Sequence, residues 1–104
     1  MDKVAQDFID RQIPRLSQQF PLRKAIGFGS RFSGTPHAYS DLDLVLVSPA
    51  FENINFANRP FAVWKAIKPD IHLDVFCYTE DEYQELAKTS PFLQMINKIG
   101  RQLL

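Results

Sequence analysis

Apolar residues recur at helical spacing at the start of the chain. Val4, Phe8, Ile9 and Ile13 fall among polar neighbours and predict a helix over residues 2–13, with Asp2 as its cap. Pro14 should end or kink that helix, although Leu16 and Phe20 keep the period, and Pro21 breaks it. Arg23 to Phe28 reads as a short strand with Ile26 and Phe28 on one side. Gly27 and Gly29 leave little side chain near its end, so a ligand or another backbone can approach closely. Gly29 to Ser40 is small and polar and predicts a loop with one helical turn after Ser30. Asp41 to Val47 then alternates, with Leu42, Leu44 and Leu46 on one side and Asp41, Asp43, Val45 and Val47 on the other. That is a strand with two carboxylates at its front.

Residues 50–57 carry no clear period. Asn58 to Ile67 predicts a helix opened by Pro60, with Phe61, Trp64 and Ile67 at threefold spacing, and the Phe and Trp residues at helical spacing along the chain read as core rather than a base-stacking platform. Ile71 to Tyr78 has the clearest strand alternation: Ile71, Leu73, Val75 and Cys77 face one way, His72, Asp74, Phe76 and Tyr78 the other. Thr79 and Glu82 form a capping box for a helix through Lys88. Ser90-Pro91 opens another helix that carries Phe92, Met95, Ile96 and Ile99 inward and stops at Gly100, and Arg101 to Leu104 reads as a short closing strand. The sum is an α/β (α+β) fold, a small mixed sheet with flanking helices and no repeat or linker.

Length and composition narrow the class. The 104 residues fit one domain, and 45% apolar content with nine Phe, three Tyr and one Trp supplies a core. Twelve basic residues balance twelve acidic ones, which argues against a protein that coats nucleic acid or anionic membrane. The short apolar runs predict no membrane span, and the acidic start lacks a signal-peptide layout. Cys77, the single cysteine, excludes an internal disulfide and a Cys-rich zinc site and reads as an inert core residue. The expected location is the cytoplasm.

The chemistry concentrates in Gly29-Ser30, ten intervening residues, then Asp41-Leu42-Asp43. On a strand, Asp41 and Asp43 project from one face, roughly 6–7 Å apart. If the strand carrying Asp74 lies alongside, three carboxylates converge. Bare carboxylates about 4 Å apart repel by about 4 kcal/mol at an effective dielectric near 20, a cost that a divalent cation removes. An oxygen-only donor set suits Mg²⁺ or Mn²⁺, and two such ions can clamp the attacking and leaving oxygens of a phosphoryl or nucleotidyl transfer. Gly29 lets phosphate approach the backbone, the Ser30 hydroxyl and nearby amides can bind its oxygens, and Arg31 can add charge to that grip. Taken singly, an Asp-x-Asp is a solvated strand face and a Gly-Ser a turn; their spacing favours the metal–phosphate reading. His72 shares the face of Asp74 but reads as a surface histidine, and His37 as a loop residue without a defined partner.

Gly29-Ser30, ten residues, Asp41-x-Asp43 and a later acid in Leu73-Asp74-Val75 resemble the signature of the DNA polymerase β-like nucleotidyltransferases. The length resembles that of the minimal nucleotidyltransferases (MNT), a bare catalytic domain, here spanning residues 1–104 with a polymerase β palm-like fold. The resemblance runs from the N-terminal helix to the Pro91-Phe92 helix, while Phe51 to Phe56 has no counterpart in it. It implies transfer of a nucleoside monophosphate from a nucleoside triphosphate, AMP from ATP, with pyrophosphate leaving. In that reading Asp41 and Asp43 hold two Mg²⁺ ions, and Asp74 helps bind one and activates the acceptor hydroxyl. Ser30 holds the triphosphate. Many minimal members resemble antitoxins that transfer AMP to a tyrosine of a helical HEPN partner toxin. The alternatives are the same chemistry on an RNA end or a small hydroxylated molecule, or a non-catalytic subunit that neutralises its partner by binding. The neutral charge weakens the RNA version. A minimal domain with exposed apolar surface can also pair with itself.

Overall fold

The computed structural model describes residues 1–34 and 40–104. Asp2 caps the first helix, α1 (Lys3–Gln19), by accepting the Ala5 amide at 2.9 Å. The helix continues through Pro14, where its pattern predicts an end or a kink, and the proline is exposed. Burial of Phe8, Ile13 and Leu16 along one continuous face keeps the later turns helical despite the lost amide. Strand β1 (Lys24–Phe28) leads through Gly29 into the single turn α2 (Ser30–Ser33). The predicted loop beyond it falls in part on residues 35–39, which include His37 and lie outside the described residues.

Strand β2 (Leu42–Val47) is the centre of the sheet, pairing antiparallel with β1 and parallel with β3 (Leu73–Tyr78). Two 3-10 turns, Pro49–Asn53 and Phe56–Asn58, fill the segment without a sequence pattern and lead into α3 (Arg59–Ile67). After β3 come α4 (Glu80–Ala87), α5 (Pro91–Ile99) and the two-residue strand β4 (Arg101–Gln102). The four strands lie in the order β3-β2-β1-β4, a mixed sheet.

Helices cover both faces, so β2 is apolar on both sides apart from Asp43. Leu42, Leu44 and Leu46 pack with α1 and α3, and Val45 and Val47 pack with Tyr83 of α4 and with Leu93 and Ile96 of α5. The alternation expected for β3 holds: Val75 and Cys77 join the first core, Phe76 and Tyr78 the second. Burial pushes the Cys77 thiol up to about 12, leaving it an inert core residue.

Two helix faces differ from expectation. On α3 the buried residues are Arg59, Val63 and Ile67, while Phe61 and Trp64 stand 63% and 46% exposed and stack on each other. Spacing alone put the two largest side chains inward; the four-residue step Arg59–Val63–Ile67 sets the buried stripe instead. On α5, Leu93 and Ile96 are buried, Phe92 is half-buried, and Met95 and Ile99 lie outside. The capping box at Thr79 and Glu82 forms as predicted. Among the described residues no helix is long and apolar enough to cross a membrane.

Candidate active site

Strand register assembles the site. Parallel pairing of β2 with β3 sets Asp43 directly beside Asp74, and Asp41 sits just ahead of β2. Ligand oxygens from Asp41, Asp43 and Asp74 all lie within 4.8 Å of one another. Asp41 and Asp74 are exposed and Asp43 is half-buried. Burial, then the charge of Asp74, then that of Asp41, push the Asp43 carboxyl up from 3.8 to about 6. Crowded carboxylates of this kind bind a proton more tightly than free ones, and a cation placed among them competes for the same oxygens. Three carboxylate groups with no sulfur or imidazole among them make a hard donor set that fits Mg²⁺ or Mn²⁺.

Gly29 makes that crowding possible. Its φ of +81° with ψ of −170° is a conformation L side chains rarely adopt, and a Cβ there would run into Asp43 Oδ2. The close approach inferred at Gly27 also exists, filled by the ring of Phe32. Ser30, partly exposed, follows Gly29 as the first residue of α2 and therefore stands at the corner beside Asp43.

Arg31, read in sequence as added charge for the phosphate grip, is buried beside the same corner. It is 6% exposed; its Nε donates to the Ser40 carbonyl at 2.9 Å and Nη1 to Asp2 Oδ2 at 2.7 Å. Its charge ties α2 to the cap of α1. Asp2 thus caps one helix and anchors the arginine of another, a double role invisible in local sequence because the partners are 29 positions apart. His72, read as a surface histidine, is exposed, and its Nδ1 lies 3.3 Å from Asp41 Oδ1 at the rim of the trio. Its place two residues before Asp74, on the same strand face, was the available signal.

On the buried side of the acids lie three aromatic rings. Phe28 is the cross-strand neighbour of Asp43, and Phe76 follows Asp74 by two residues. Phe92 of α5 packs on both, with ring centroids 5.6 Å and 4.9 Å away.

Residues 9–103 match the Nucleotidyltransferase domain family. The chain belongs to that family. Its acid trio and its glycine corner therefore sit in a nucleotidyltransferase domain of the polymerase β-like superfamily, for which a nucleotide is the implied substrate. A protein of Sulfolobus solfataricus assigned as a nucleotidyltransferase is similar in structure, with 24% identity, a TM-score of 0.52 and 82% of each chain covered. BolA1 from Arabidopsis thaliana is similar with 17% identity and a TM-score of 0.57, over 71% of this chain and 93% of that one. The BolA domain of Arabidopsis SufE1 is similar with 16% identity and a TM-score of 0.54, over 79% of this chain and 98% of that one. At such identities the likeness is one of fold. Among curated proteins none is similar enough in sequence to match.

Proposed function

We propose that this nucleotidyltransferase domain, acting as one minimal unit over residues 1–104, moves AMP from ATP onto a hydroxyl. The acceptor in this reading is a tyrosine of a helical HEPN-type partner, which the protein neutralises as an antitoxin. The observation that carries the transfer chemistry is the meeting of Asp41, Asp43 and Asp74 within 4.8 Å beside Gly29.

The three carboxylates would hold Mg²⁺, which when bound neutralises charge on the phosphates as it shifts during transfer. The chain's own groups do the rest. Gly29 presents backbone rather than a side chain at the phosphate corner, and the Ser30 hydroxyl donates to a phosphate oxygen. Arg31, held by Asp2 and Ser40, fixes the short helix that presents Ser30. Asp74 accepts the proton of the attacking hydroxyl. The new bond joins that oxygen to the α-phosphorus, and the bond to the bridging oxygen breaks with pyrophosphate taking the electron pair.

The test uses ATP labelled at the α-phosphate, Mg²⁺, and a purified helical HEPN-type protein. Label is expected on a tyrosine of that protein, and Asp43→Ala is expected to abolish labelling while keeping its circular dichroism. Undiminished labelling by the variant overturns the assignment of the trio. Label appearing only on RNA or a small hydroxylated molecule overturns the protein acceptor.

A further inference from the structure

The geometry points to the half-buried ring cluster Phe28–Phe76–Phe92 as the subsite for the nucleobase of the triphosphate, resting on the nucleotide-transfer reading above. The rings grow out of the same sheet face as the acids. Phe28 faces Asp43 across the β1–β2 ladder, and Phe76 stands one side-chain step beyond Asp74 on β3. Same-face neighbours of this kind lie about 5–7 Å apart. Phe92, in the first turn of α5, closes the third side, and the three centroids are 4.9 to 6.1 Å apart.

Burial separates these rings from ordinary core. Ile26, Val45, Leu93 and Ile96, deeper on the same face, are at most 1% exposed. Phe28, Phe76 and Phe92 stay half-buried at the border between that sealed core and the carboxylates. The result is an apolar, ring-edged wall against a strongly acidic rim. A nucleoside triphosphate has the matching polarity, with phosphates for a cation on the acids and a flat base one ribose away. Aromatic walls take bases of any kind through stacking. The exposed Phe61–Trp64 pair cannot serve the same nucleotide, because α3 packs through Val63 and Ile67 on the opposite face of the sheet.

Calorimetric titration with Mn²⁺ present tests this, using two probes: α,β-methylene-ATP, and tripolyphosphate, which has no base. Phe76→Leu and Phe92→Leu keep apolar volume but remove the flat ring, and Trp64→Ala is the control. Each leucine variant is expected to weaken α,β-methylene-ATP about fivefold or more, with tripolyphosphate affinity unchanged. The control is expected to alter neither. Equal affinities before and after substitution, or an equal loss for both probes, overturn the base subsite while leaving phosphate binding in place. A wild-type protein that binds neither probe overturns the nucleotide-transfer reading and the subsite with it.

Discussion

Gly29 and Asp43 have to be considered together, because each occupies space the other leaves. Replacing Gly29 by alanine forces a side chain into a positive-φ conformation and against the Asp43 carboxylate. A loss of about 1–3 kcal/mol in stability by denaturant titration is expected, together with weakened Mn²⁺ binding. Asp43 itself is strained electrically. Its folded value of about 6 lies above its ordinary 3.8, so the native state holds the proton more tightly than the unfolded chain does. Its contribution is therefore fully present below about pH 4 and is lost as pH rises through about 6. Asp43→Asn should accordingly stabilise the metal-free protein at pH 8 and have no effect at pH 4. Because the carboxyl is only partly buried, screening reduces the gain to about 1 kcal/mol, readable as a rise of a few degrees in Tm. A pH-independent difference would contradict the crowding. The three acids, the glycine and the serine were legible in sequence as residue types at a spacing. The fate of Arg31 was not, since nothing local shows that Asp2 would claim it.

Among the elements, α3 depends on one buried guanidinium. Arg59, 4% exposed, donates to the carbonyls of Phe51, Ile54 and Cys77 and forks onto the Glu82 carboxylate. The arginine's hydrogen bond is the main reason the Glu82 carboxyl sits below its usual range. Glu82 also completes the capping box of α4, so Arg59 links the 3-10 turns, the end of β3 and the start of α4. Arg59→Met strands several carbonyls and is expected to cost about 3 kcal/mol, measured by urea denaturation. Thr79 and Glu82 were readable because a capping box is local; Arg59 was not, because its partners are scattered over residues 51–82. The helix faces of α3 and α5 were misjudged for a related reason. Periodicity gives the spacing of a stripe, but Val63 and Leu93 became the buried residues through the neighbours they meet, not through size.

At the scale of the whole molecule, strand alternation was the dependable signal. A period of two leaves only two faces to choose between, and apolar runs in β2 and β3 settled both. Pairing partners are a different matter: the parallel β2–β3 ladder, with α3 between its strands, is what converts three separated aspartates into one site. One consequence reaches beyond chemistry. A slip of a single residue in that ladder would send Asp74 to the opposite side of the sheet, so affinity for a divalent ion reports that the sheet has zipped in its correct alignment. An unfolded or misaligned chain presents scattered carboxylates without this shared grip. A divalent ion held by the trio would draw the folding equilibrium toward the one arrangement able to hold it.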